Sequence, residues 1–259
     1  RGLAFGFHRS MDHAGAVVGP LAAAALLAAG WSVREVMLWT LVPGVLCVLL
    51  VLMLREPTGL AVSAGKIEWQ WKTLPAPLKR YLVALGVFTL SQASNMFLLL
   101  RAKETGFTDA QIPLLWAAFS ALAMVLSTPL SALSDRFDKQ RLLRSAWIVY
   151  SILFASFGML PQTTATTVAL FIAYAFFIAI TDGAEKALIA ELAPASQLGT
   201  AYGWFHLVSG LMLLPASMLF GWLWTHANPT AAFVVSASTS LIAAGLLMRA
   251  GRVARAENT

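Results

Sequence analysis

The sequence predicts an all-α polytopic membrane protein, a bundle of eight transmembrane helices. Composition is the first reason: of 259 residues, 59% are hydrophobic and only 12% charged, whereas a soluble domain carries about 25% charged residues. A water-soluble fold of this size could not hide so much apolar surface. The second reason is that the apolar residues run in long blocks, and a bilayer core of about 30 Å asks for roughly 20 of them per helix. The third is that the charges fall between the blocks, and mostly on one side.

The spans run His13–Gly30, Val36–Leu54, Tyr81–Leu100, Ile112–Leu133, Leu142–Leu160, Val168–Leu188, Trp204–Trp224 and Ala231–Met248. Helix is expected in each, because backbone groups in lipid must be satisfied within their own segment. Turn residues separate them: Gly30-Trp31-Ser32, Arg55-Glu56-Pro57, Thr105-Gly106, Pro161-Gln162 and Asn228-Pro229. An even number of spans puts both termini on one side. Of the 18 lysines and arginines, only Arg34, Arg101 and Lys103 then fall on the other side. The positive-inside rule makes the basic side cytoplasmic and the expected location a cell (inner) membrane.

A net charge of +6 on a soluble protein would suggest nucleic acid. Here no basic face interleaved with aromatics exists to bind one, and the charge reads as a topology signal toward anionic lipid. Cys47 lies inside an apolar block and reads as packing. The chain opens mid-motif at Arg1-Gly2 without a starting Met, so residues upstream are expected. The longest loop, Arg55–Arg80, carries Trp69, Trp71 and Leu74 among Lys66, Lys72 and Lys79. It reads equally as a segment lying on the membrane surface or as a plain linker. In either case it marks the boundary between two bundles.

An internal repeat sits under this pattern. Gly2-Leu3-Ala4-Phe5-Gly6 returns as Gly199-Thr200-Ala201-Tyr202-Gly203, and each copy precedes a span with a proline partway in, Pro20 and Pro215. Span one thus matches span seven, and a six-helix unit is implied. Transporters are often built from such repeats.

These features resemble the major facilitator superfamily. After span four, Ser131-Ala132-Leu133-Ser134-Asp135-Arg136-Phe137-Asp138-Lys139-Gln140-Arg141 resembles that family's loop signature, with both signature glycines replaced, by Ser131 and Asp138. In span one, Gly6, Gly15, Gly19 and Pro20 match the spacing of the family's antiporter motif, whose final two glycines are Ala23 and Ala24 here. The resemblance covers the whole chain, as the family's helices five to twelve. It implies that residues 1–54 are the last two helices of an N-terminal bundle, 55–80 a cytoplasmic central loop, 81–249 a C-terminal six-helix bundle and 250–259 a cytoplasmic tail. The implied protein is a monomeric secondary transporter that moves a small-molecule substrate by alternating access, coupled to protons or another ion, with an antiporter-like lean toward efflux.

Specific residues carry expectations. Gly15 and Gly19, four apart on one helix face, would let another helix approach closely, and Pro20 would permit a bend. We expect span one to pack on span four through those glycines. Asp135, with Arg136 and Arg141 in the same motif, would latch a neighbouring helix N-terminus; a solvated loop acid is the plainer reading. Span three carries Ser91, Gln92, Ser94 and Asn95 near its middle, with Ser91 and Asn95 at i and i+4 on one face. By resemblance this helix lines the substrate cavity, opposite span six with Tyr174, while spans two, five and eight face lipid. Span six also carries Asp182, Glu185 and Lys186 on one face, the charges expected to serve proton coupling or gating. Arg101 and Lys103 read either as an outer anion attractor or as partners of Glu104 or Asp109.

Other classes fit less well. A membrane-embedded lipid-modifying enzyme, such as an acyltransferase, would need a reactive His–Asp arrangement that His8 and Asp12 do not supply. His8, Asp12 and His13 make a weak metal set, and no Walker-type loop is present for an ATP-driven pump. No cofactor, metal or catalytic residue is therefore expected. A non-transporting receptor of the same fold is separated from a transporter only by solute flux.

Overall fold

The computed structural model describes residues 2–53, 71–108, 111–134, 136–161 and 163–256. Within them lie ten α-helices and no strand: α1 (Gly2–Ala28), α2 (Val33–Trp39), α3 (Leu41–Met53), α4 (Ala76–Ser91), α5 (Asn95–Glu104), α6 (Gln111–Ser134), α7 (Lys139–Met159), α8 (Thr164–Leu192), α9 (Leu198–His226) and α10 (Pro229–Ala256). Seven helical stretches among the described residues are long and apolar enough to cross a bilayer. The 27-residue α1, about 40 Å at 1.5 Å per residue, has the length of an eighth span. The expected eight-span, all-α architecture is thus present. Two spans are interrupted: α2 and α3 share span two, and α4 and α5 share span three.

Helices α4 to α10 pack around an aromatic interior. Phe88 of α4 stacks on Trp147 of α7 at 4.4 Å between ring centroids, Tyr150 on Phe154 at 4.0 Å, and Tyr174 of α8 on Phe119 of α6 at 5.6 Å. Large flat side chains fill the space between helices where lipid offers no hydrophobic drive, and dispersion does the holding. The outer faces are the inverse: Ile148 and Ile152 on α7 and Leu241 and Ile242 on α10 are exposed, as a lipid-facing surface requires.

A polar seam joins α7 to α10. Ser151 Oγ donates to the Ala237 carbonyl at 2.8 Å, Ser240 Oγ to the Trp147 carbonyl at 2.7 Å, and Thr230 Oγ1 to the Gly158 carbonyl at 2.9 Å. At the end of the seam Gly158 lets the backbones meet. A Cβ there would stand 2.8 Å from Phe233 Cβ and 3.3 Å from the Thr230 carbonyl oxygen, atoms that cannot swing aside. Gly158→Ala is therefore expected to lower stability by about 1–3 kcal/mol, the range for overpacking, read as a fall in the thermal midpoint of the detergent-solubilised protein. An unchanged midpoint would show that the seam yields.

Span one meets span four as expected, but not through its glycines. Ser10 Oγ donates to the Met124 carbonyl at 2.7 Å and shares a 2.9 Å hydrogen bond with Thr128 Oγ1. His13 is buried, and Ala14 and Val17 half-buried, on the same face. Gly15 and Gly19 lie on the opposite, exposed face beside Met11 and Val18, and nothing stands within 4 Å of a Cβ built on either. The 3.6-residue period decides this: 10, 13, 14 and 17 form one stripe, and 11, 15, 18 and 19 the other.

Of the long loop, residues 54–70 lie outside the described residues. The end that is described packs on the helix bundle. Trp71 packs edge-on against Trp204 of α9 at 5.1 Å, and Leu74 is buried in the core. The repeat also has a structural counterpart, since α1 and α9 are both long helices with an internal proline, Pro20 and Pro215.

Candidate functional site

The third span is not one helix. α4 ends at Ser91, Gln92 to Ser94 run extended or in turn, and α5 starts at Asn95, just past the middle of the 29-residue stretch Ala76–Glu104. The break contains neither proline nor glycine. Its residues compete with the helix locally: Ser91 Oγ donates to its own Phe88 carbonyl at 2.6 Å, and Ser94 Oγ caps α5 by accepting from the Met96 N–H at 3.3 Å. Broken backbone at membrane depth survives only where it is buried in protein or lines a cavity.

Two neighbouring helices satisfy it. The Ser91 carbonyl, left without its helical donor, accepts from Tyr150 Oη of α7 at 3.0 Å and from Ser236 Oγ of α10 in a short bond. Asn95 Oδ1 accepts from Tyr174 Oη of α8 at 3.1 Å. Further along, Thr167 Oγ1 of α8 donates to Thr105 Oγ1 at 3.1 Å, and Arg101 Nε to the Phe157 carbonyl at 3.3 Å. The short α5 is therefore tethered by polar bonds to α7 and α8, with Phe97 lodged against Gly221 and Phe220.

The structure thus joins Asn95 to Tyr174 and sets half-buried Gln92 beside them in the chain, while Ser91 is buried and turned back on its own helix. Because the helix breaks, Ser91 and Asn95 do not share a helical face. Sequence reasoning missed Tyr150 and Ser236, both in spans read as plain apolar; the recurring hydroxyls Ser236 and Ser240 on α10 were the available signal.

The charged cluster lies elsewhere, in the last third of α8. Asp182, Glu185 and Lys186 are half-buried. The Lys186 carbonyl accepts from Tyr202 Oη of α9 at 3.1 Å. Near the same end, Lys139 Nζ pairs with Glu191 Oε1 at 2.7 Å. Arg101 pairs with Glu104 at 2.7 Å, the plainer of its two readings. Among the described residues, no group of three His, Cys, Asp or Glu side chains is placed to hold a metal; His8 and Asp12 stand 3.6 Å apart on exposed α1.

Residues 80–259 match the sequence family described as the Major Facilitator Superfamily. The chain belongs to the major facilitator superfamily. An uncharacterized MFS-type transporter of Methanocaldococcus jannaschii is 30% identical over 256 residues, an alignment that covers 95% of this chain and 63% of that relative. The crystal structure of the human organic anion transporter TETRAN matches with a TM-score of 0.60 at 13% identity, over 66% of this chain and 40% of that one. At that identity the likeness is one of fold. The chain spans less than two thirds of the length of either.

The superfamily's loop signature can be placed on this frame. Ser131, at the first glycine position, is buried and donates to the Ala179 carbonyl of α8 at 3.4 Å, so a small residue there brings α6 close to α8. Asp138, at the second, caps α7: its Oδ1 accepts from the Arg141 N–H at 2.7 Å. The substitution exchanges a glycine for a good helix start. Arg136 and Arg141 are exposed, and Asp135 with its expected latch lies outside the described residues.

Proposed function

We propose that the full-length protein is a secondary active transporter that carries small solutes across a cell membrane by alternating access, driven by protons. The observation that carries this reading is the polar break in the third span. A membrane helix opened at mid-depth, with Asn95 and Gln92 at the opening and Tyr174 across from them, is the construction transporters use to meet a solute near the bilayer midplane. In this reading residues 1–54 belong to an N-terminal bundle and 81–249 form the C-terminal one. Both termini face the cytoplasm, and the exposed Gly15–Gly19 face of α1 beside Pro20 meets the other half of the protein. The antiporter-like spacing of span one favours efflux. Because the human relative's name specifies organic anions, these are the first solutes to assay.

The test is solute flux into proteoliposomes that hold the full-length protein. Asn95→Ala and Tyr174→Phe are each expected to cut flux several-fold while leaving the thermal midpoint nearly unchanged, since one half-buried hydrogen bond is worth about 0.5–1.5 kcal/mol. No flux with any solute in the wild type, or full flux in both variants, removes the break from the transport path. A receptor of this fold would bind solute without moving it.

A further inference from the structure

Helices α9 and α10 meet through two aromatic rings: Phe220 stands edge-on to Phe233 at 5.1 Å between centroids. Beside that contact a shallow groove opens between α4, α9 and α10. Its buried floor is Ala216 and Phe220 of α9 with Ala232 and Ser236 of α10, and its exposed rim is Leu219 and Val235. The short alanine side chains leave the gap. Leu90 of α4, next in the chain to Ser91, also lines it.

Depth and lining decide what can fill it. Ala232 to Ser236 stand about 5–10 Å along α10 at 1.5 Å per residue, inside the apolar span Pro229–Arg249. Exposed Trp222 and His226, stacked at the end of α9, suit the interface above it. Water gains little in the groove, since a buried water needs two or more polar partners. The one polar side chain among the lining residues, Ser236, already donates to the Ser91 carbonyl. Left empty, the floor would forfeit its dispersion contacts on one side. The rim shows where the groove leads. Val234 and Val235 recur seven residues on as Leu241 and Ile242, an exposed stripe on α10, so the groove is continuous with the lipid-facing surface.

We propose that this groove is a lipid site, in which one acyl chain of a bilayer phospholipid lies against Phe220 and Ser236. The chain then touches both supports of the broken third span. Phe220 packs on Phe97 of α5 at 4.8 Å between centroids, and Ser236 holds the Ser91 carbonyl. A seated chain completes the packing around both and keeps water from the break on this side. The proposal stands apart from the transporter reading, and its test needs no transported solute.

The test uses the full-length protein in phosphatidylcholine nanodiscs doped with a phosphatidylcholine whose acyl chain carries a diazirine. Irradiation is followed by digestion and mass spectrometry of the labelled peptides. When the protein is first exchanged into detergent, label is expected to stay on the α9 and α10 peptides that hold Leu219 and Val235. On the α7 peptide with exposed Ile148 and Ile152 it is expected to fall several-fold. Leu219→Trp and Val235→Trp fill the groove from its rim, where a larger side chain meets lipid and not the core. Each is expected to cut label at the groove several-fold and leave the α7 label in nanodiscs unchanged; if one variant does not fold, the other decides. Equal loss of label from both faces in detergent would mean ordinary boundary lipid and overturn the proposal. Undiminished label in the tryptophan variants overturns it too, as does an unlabelled groove in nanodiscs whose α7 face is labelled, because protein then covers the groove.

Discussion

Replacing Tyr150 by Phe and Ser236 by Ala together is expected to destabilise the bundle far more than the two single changes summed. The Ser91 carbonyl lost its helical partner when the third span broke, and these two hydroxyls are its donors. With one removed the other remains, so Tyr150→Phe or Ser236→Ala alone should cost about 0.5–1.5 kcal/mol. With both removed a carbonyl is stranded at membrane depth, where no water can replace them and an unsatisfied backbone group costs several kcal/mol. Groups that share a partner are the case in which additivity fails. The measurement is a double-mutant cycle of thermal or denaturant unfolding in detergent, with expression in membranes as a second readout. Additive losses would mean that the break closes into continuous helix once its outside donors go.

Loss of proton-driven flux is the second large effect. Asp182→Asn and Glu185→Gln, in the full-length protein, are each expected to reduce flux driven by a pH gradient by at least about tenfold, the equivalent of ~1.4 kcal/mol, while the protein still folds. Both carboxylates are half-buried on α8, beside Lys186. A charge held at that depth is tolerated when it is paired or hydrated, and a carboxylate that can be neutral at one stage is what proton coupling requires. Exchange of solute for solute, which needs no proton, should survive in both variants. Undiminished driven flux in both would leave this cluster a structural helix-end role.

Sequence reasoning reached the class, the spans and the family because each depends on a property that lipid imposes on every residue alike. A 59% hydrophobic chain cut into blocks of about twenty has no other stable state than spanning helices, since every backbone group must find its partner inside its own segment. Charge placement, the repeat and the loop signature are likewise linear properties. The side of α1 that packs was legible too: Ser10, His13, Ala14 and Val17 form a stripe that the prominence of Gly15 and Gly19 obscured.

Tertiary structure alone decided where the third span opens. Nothing between Gln92 and Asn95 forbids a helix, as a proline would. The extended form wins because Tyr150 and Ser236, 59 and 145 residues away from Ser91, offer its carbonyl better partners, while Ser94 and Tyr174 hold the start of α5. The same holds for Trp71, whose edge-on packing against Trp204 no local pattern foretells, and for Asp138, which departs from the family glycine and starts α7. Local chemistry sets what a segment can do. In this bundle, partners donated from distant helices select among those states, because in a bilayer no solvent is present to satisfy the alternatives.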